Sequence, residues 1–347
     1  MTWWLEPVQE VCVESQRKAE LRQLSLTKPA GSLGQLEDIA VRLAGLQKTD
    51  RPHIGEIQIR VFAGDHGVTS EGVSAFPQSV TREMIANFAR GGAAINVLAR
   101  RLNANFMAVN LGTAEPMNEL PNVSQIQLTP GTGNMCEQPA MTDSVCAEAL
   151  TAGRDQVRSE SHLFIGGEMG IGNTTAAAAL VSQLLCAEPS KTVGRGTGID
   201  DQAMDRKHNA VSRALQLHGA GCSTPFATLA RLGGLEIAAL TGAFIGAAQL
   251  GIPVLVDGYI CSTAALLACR FNAAVANWLL FSHCSAEPGH QLVLQALDAV
   301  PLLDLGMRLG EGSGAAVAVP LLRAACELHN GMATFAQAGV SSADNTG

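Results

Sequence analysis

The chain has 347 residues, of which 47% are hydrophobic and only 16% charged, with a formal net charge of -8. That composition supports one large core or two of ordinary size and excludes a disordered chain. The acidic balance excludes the basic stripe of a nucleic-acid binder, and 4% aromatic residues offer no base-stacking platform.

From the start, residues 1–50 read as all-helical. Ser32 followed by Gln35 matches a capping box, and Leu36, Ile39, Ala40, Leu43 and Leu46 continue at helical spacing. The opening MTWWLEPVQEVC lacks a basic region and a cleavable apolar core, which predicts no secretory signal and a cytoplasmic protein. The first β-rich run, Ile57 to Phe62, leads into the polar loop GDHGVTSEGVSAFPQ (64–78). Asp65 and His66 in that loop suggest proton transfer or metal, but a histidine satisfied by local backbone is an equal reading.

A helical pattern over about 79–101 precedes a second strand at 106–109, and a weaker strand is expected at 125–128. After a helix over about 143–160, Leu163, Phe164 and Ile165 lead into GGEMGIGNTT (166–175). Its glycine spacing is that of a phosphate-binding loop, but no lysine follows, so an NTPase is excluded. A strand, a glycine turn and a helix start remain, and the free N–H groups of such a start favour an anion. Glu168 within the loop would face another part of that ligand.

A second glycine loop, VGRGTGIDD (193–201), opens the next helix and contains Arg195 and Gly196, with Lys207 two turns on. Asp200 and Asp201 suggest magnesium less strongly than they suggest helix capping. The stretch 235–257 is the most apolar, but Glu236, several glycines and Pro253 interrupt it, which predicts no membrane span. Strands at 254–256 and 279–281 lead into Asp257-Gly258 and SHCSAEPGH (282–290). His283, Glu287 and His290 match no metal-ligand spacing, so no metal is expected. The nine cysteines, Cys12 to Cys326, form no CxxC pair and read as reduced thiols. Glu311 lies in LGEGSGAAVA (309–318), between two glycines and before an apolar helix; it is either a surface acid or a base.

Strand–helix alternation with unalternated apolar strands predicts an α/β fold: a mostly parallel, doubly wound, Rossmann-like sheet domain. The expected division is 50–312 for this domain, with 1–49 plus 313–347 forming a small helical domain from both chain ends. Ligands should bind beyond the carboxyl ends of the strands.

Seven stretches together, LTKPAGSLGQLE (26–37), FAGDHGVTSEGVSAFPQSVT (62–81), GGEMGIGNTT, GRGTGIDD (194–201), LVDGYICSTAA (255–265), SHCSAEPGH and MRLGEGSGAA (307–316), resemble in order and spacing the nicotinate-nucleotide–dimethylbenzimidazole phosphoribosyltransferases. The resemblance implies transfer of a 5-phosphoribosyl group from nicotinate mononucleotide to 5,6-dimethylbenzimidazole, with inversion at C1′, in assembly of the cobalamin nucleotide loop. It implies no cofactor, small-molecule substrates and a homodimer. By the same resemblance Glu311 is the general base and Glu168 a second acid at the reaction centre. Gly170, Arg195, Gly196 and Lys207 become candidates for the 5′-phosphate, and Asp257 and Ser285 for ribose or nicotinate. Ser74, Gln78, Met169 and Leu309 become candidates for the benzimidazole pocket. A related N-glycosyl transferase or hydrolase acting on another base, or a non-catalytic nucleotide-binding protein, are the alternatives. The second makes poor use of two acids.

Overall fold

The computed structural model describes residues 2–196 and 198–341. Six strands form one sheet: β1 (Ile57–Gly64), β2 (Asn105–Gly112), β3 (Val123–Gln125), β4 (Leu163–Met169), β5 (Val254–Val256) and β6 (Leu279–Phe281). Their order is β3-β2-β1-β4-β5-β6, and every pair is parallel. β1, β4, β5 and β6 are almost wholly buried, as strands covered on both faces must be. The strand order reverses between β1 and β4, so the loops after these two strands diverge and leave a crevice at their carboxyl ends.

Fourteen α-helices surround the sheet among the described residues: α1 (Val13–Ser25), α2 (Gln35–Leu46), α3 (Ser79–Arg90), α4 (Ala94–Leu102), α5 (Asp143–Asp155), α6 (Asn173–Leu185), α7 (Pro189–Thr192), α8 (Asp201–His218), α9 (Pro225–Leu232), α10 (Leu235–Leu250), α11 (Tyr259–Phe271), α12 (Pro288–Ala296), α13 (Ser313–Gly331) and α14 (Phe335–Ala338). None is long and apolar enough to cross a membrane. α10 is buried along nearly its whole length because it packs on both the sheet and α5.

Several boundaries differ from the sequence expectation. The segment 79–101 is two helices, broken where Gly91 adopts a left-handed φ of 77°. The third strand ends at Gln125 because Gln127 takes φ 50° and turns the chain. Ser32 does not cap α2: Gly34 occupies that position, and Glu37 reaches back instead to accept the Leu33 N–H at 2.9 Å.

The helices of the two chain ends meet. α2 packs on α1 and α13, and the Arg22 guanidinium donates to the carbonyl of His329 at 2.7 Å. The first residues do not follow them. Trp3 and Trp4 lie on the sheet domain, where Trp4 stacks on Phe226 at 5.6 Å and the Trp3 indole donates to Thr151 at 3.1 Å. Burial of two large aromatic side chains is a strong driving force for this docking. Residues 342–347 of the expected helical tail lie outside the described residues.

Glycine sets the closest approach between α5 and α10. A Cβ at Gly242 would overlap the carbonyl oxygen of Leu150, and one at Gly153 would overlap that of Ala239. Neither backbone can give way without moving its helix. Overpacking of this kind costs about 1–3 kcal/mol. Gly242→Ala is therefore expected to lower the denaturation midpoint while leaving turnover per folded molecule unchanged, as urea unfolding and steady-state rates on the same sample would show.

Candidate active site

The crevice holds a cleft of about 400 Å³, built from the loops after β4, β5 and β6, the start of α3 and the segment before α13. Its two ends differ in chemistry. One is apolar, walled by Phe76, Val80, Met84, Met169, Ile171 and Leu309. The other is glycine-rich and polar, with Gly170, Asn173, Thr174, Gly196 and Arg308. Four carboxylates also line it: Glu168, Asp257, Glu287 and Glu311.

Glu311 is 6% exposed, and its Oε2 has no hydrogen-bond partner among the described residues. Its backbone φ is 64°, between Gly310 at 86° and Gly312 at 80°. Three successive left-handed residues are costly, and a glutamate there is more strained than its glycine neighbours. Asp257 holds this bend: its Oδ2 accepts the N–H of Gly312 at 3.1 Å and its Oδ1 that of Ala315 at 2.8 Å. Burial raises the Glu311 carboxyl above its usual range; the Ile95 N–H at the start of α4 opposes this and Asp257 adds to it.

Glu168 is held by the side-chain amide of Asn173. Burial, and then the charges of Glu236, Asp257 and Glu311, push its carboxyl up to about 8. That shift favours its protonated form near neutral pH. Beneath it His66 Nε2 and Glu236 Oε1 meet at 2.7 Å, both fully buried. Burial alone would depress His66, but Glu236 outweighs it and leaves the imidazole raised.

At the polar end the strand–glycine–helix arrangement is present, with Gly172 at φ 99° capping α6. Lys207 does not line the cleft. It is 1% exposed and sits behind the wall, donating to Thr174 Oγ1 at 2.8 Å and to the carbonyl of Gly194 at 2.9 Å. Burial pulls its ammonium down to about 8, against the pull of Glu287. An ammonium has three N–H groups, so one remains beside Gly196.

The other expected residues divide. Gly170, Gly196, Met169, Leu309, Asp257 and Ser285 line the cleft with the two glutamates. Arg195 does not; its exposed guanidinium is held by the Ile199 carbonyl at 2.8 Å and Asp201 at 2.6 Å. Ser74 and Gln78 also stand outside the lining. The Ser74 hydroxyl accepts the Phe76 N–H at 3.2 Å, and the Gln78 amide donates to the His66 carbonyl at 3.3 Å. Their neighbours Phe76 and Val80 take the wall position. Asp200 caps α8 by accepting the Ala203 N–H at 2.7 Å, the structural role its position favours. His290 accepts the Ser285 N–H at 2.8 Å, and burial drops it to about 4, so it is a neutral core histidine. Arg308, which donates to the Gly196 carbonyl at 3.0 Å, was not singled out in the sequence, although it stands three residues before Glu311.

A phosphoribosyltransferase family profile matches residues 8–340. The nicotinate-nucleotide–dimethylbenzimidazole phosphoribosyltransferase of Pseudomonas aeruginosa is 58% identical over 98% of both chains. The protein of the same name from Xanthomonas euvesicatoria is 58% identical over 93% of both. The crystal structure of CobT from Thermus thermophilus superposes with a TM-score of 0.91 at 43% identity, covering 94% of this chain and 99% of that one.

The electrostatics of Glu168 carry a stability signature. A carboxyl whose pKa is raised by folding contributes stability that is fully present below its unfolded value and lost as pH rises through its folded value. For Glu168 that window runs from 4.5 to about 8. Relative to Glu168→Gln, the wild type should lose melting temperature steadily across this window and then level off. Parallel pH profiles of the two proteins that never diverge would show that Glu168 is not held protonated.

Proposed function

Since this chain belongs to the nicotinate-nucleotide–dimethylbenzimidazole phosphoribosyltransferase family, we propose that it transfers the 5-phosphoribosyl group of nicotinate mononucleotide to 5,6-dimethylbenzimidazole. The products are α-ribazole 5′-phosphate and nicotinate, and the step serves cobalamin nucleotide-loop assembly. The observation that carries the reading is a buried glutamate with one unpartnered oxygen, held in a strained bend of a cleft whose lining is part apolar and part glycine-rich and polar. A flat apolar base and an anionic phosphate need opposite surroundings, and this cleft offers both.

The phosphate belongs at the polar end, against Gly170, Gly196 and the start of α6, with Arg308 and the positive charge of Lys207 behind the wall as cations. The benzimidazole belongs in the slot between Met169, Leu309, Phe76, Val80 and Met84. One ring nitrogen attacks C1′ from the face opposite nicotinate, which inverts the anomeric centre. The bond to nicotinate breaks with its electron pair, turning a pyridinium into a neutral pyridine, so no acid is needed at the leaving group. The new ring carries positive charge, and its second nitrogen releases a proton to Glu311. A cationic donor beside Glu168 lowers that carboxyl's pKa, leaving a carboxylate to face the developing charge at C1′.

The nine free cysteines support a reducing compartment, the cytoplasm. The family likeness favours a homodimer, and exposed Phe76 and Leu309 leave apolar surface for it at the cleft mouth.

Incubation with nicotinate mononucleotide and a panel of bases, followed by chromatography, distinguishes the readings. Formation of the α-nucleotide supports transfer to the base; free ribose phosphate indicates a hydrolase, and unchanged donor a binding protein. Loss of a general base costs about 100- to 10,000-fold in rate. Glu311→Gln should fall in that range with donor KM and fold retained, and adding Glu168→Gln should lower the rate further. Near-normal turnover in Glu311→Gln would remove the base from this mechanism.

A further inference from the structure

Glu287 is the one cleft carboxylate without an evident task. Asp257 has both oxygens on backbone N–H groups, Glu168 accepts from Asn173, and Glu311 is the proton acceptor. Glu287 is 9% exposed, and its Oε2 has no hydrogen-bond partner among the described residues. It stands at the N-cap of α12, but its side chain accepts no backbone N–H there. Nor does it bond the neighbouring cation, since Lys207 directs its hydrogen bonds to Thr174 and Gly194. Leaving a buried carboxylate unpaired is expensive, which points to a ligand that completes it.

Its position says which part of the ligand. On one side Glu287 packs against Gly194, whose carbonyl holds Lys207 behind the polar end. On the other, its N–H donates to Ser285 Oγ at 3.4 Å, and Ser285 lies against Gly258, next to Asp257. Glu287 therefore stands between the phosphate end and the reaction centre, the span a ribose ring must bridge.

We propose that Glu287 accepts the hydroxyl groups of the donor ribose and is the residue by which the site selects a ribonucleotide over its deoxy counterparts. This rests on the phosphoribosyl reading above. Two adjacent hydroxyls donate well to one carboxylate, the same chemistry by which acidic side chains hold ribose in dinucleotide sites. Ser285 acts on the ribose indirectly, by holding the Glu287 backbone.

The test measures equilibrium binding of the donor alone, so that the differing lability of deoxy nucleotides does not intrude. Nicotinate mononucleotide and its 2′-deoxy and 3′-deoxy analogues are titrated into wild type, Glu287→Ala and Glu287→Gln by calorimetry. Hydrogen bonds to a charged group correspond to about 10- to 100-fold in affinity. The wild type should bind the ribonucleotide tighter than at least one deoxy analogue by that factor. Glu287→Ala should weaken the ribonucleotide to the level of that analogue, whose own affinity barely changes. Glu287→Gln, nearly the same shape with one oxygen left, should retain part of the discrimination and serves if the alanine variant folds poorly. Equal weakening of all three donors, or no discrimination by the wild type, overturns the assignment while leaving the transferase reading intact. A wild type that binds no nicotinate mononucleotide overturns both.

Discussion

The contact between Asp257 and the first turn of α13 is the constraint on which the site depends. Asp257 follows the buried strand β5 and reaches the N–H groups of Gly312 and Ala315 at 3.1 and 2.8 Å. A carboxylate at a helix start satisfies orphan donors and complements the dipole. Here it also ties α13 to the carboxyl end of β5, next to the sheet's β6 edge. Glu311 is the residue immediately before the clamp, so its left-handed backbone is fixed from the α13 side. The helices of the chain ends are thereby drawn to the cleft: α13 starts at its lining and ends against α1 and α2, where the His329 carbonyl accepts from Arg22.

The second consequence is electrostatic. Glu168, Asp257, Glu287 and Glu311 share one cleft, and Glu236 lies beneath it. Burial in this acidic company raises the cost of ionising Glu168 and Glu311. A donor bearing a pyridinium relieves that cost, and an oxocarbenium-like transition state relieves it further. The anion end is kept apart: Lys207 sits behind Thr174 and Gly194, and Arg308 bonds to Gly196. The same cleft can thus hold negative phosphate at one end and stabilise positive charge at its centre.

Much of this was legible in the sequence, for local reasons. Runs such as Leu163–Ile165 and Val254–Val256 are apolar without alternation, which marks buried parallel strands, and each is followed by small polar residues at its carboxyl end. The glycine turn at Gly172 and the Glu311 bend were visible because glycine punctuates both. What could not be read is long-range or directional. Glu236 looked like an interruption in an oily helix, and it is the buried partner of His66, 170 residues away. Lys207 has the pattern of a surface residue on an amphipathic helix, yet it is buried behind Thr174 and Gly194. Arg195 sits in the right loop, but its side chain turns to Asp201. Ser74 and Gln78 flank Phe76, and only the loop's conformation decides which of them meets the cleft.

The clamp can be tested directly through Asp257→Asn, measured for kcat, donor KM and melting temperature together. An asparagine has one carbonyl oxygen, so one of the Gly312 and Ala315 N–H groups must lose its acceptor and face an amide N–H₂. Misplacing a catalytic group by about 1 Å can cost roughly 100-fold in rate. The account predicts a kcat loss of that order with donor KM nearly unchanged, and a double variant with Glu311→Gln scarcely slower than Glu311→Gln alone. A variant that melts earlier but turns over at the wild-type rate would contradict it, because Glu311 would then keep its place without the clamp.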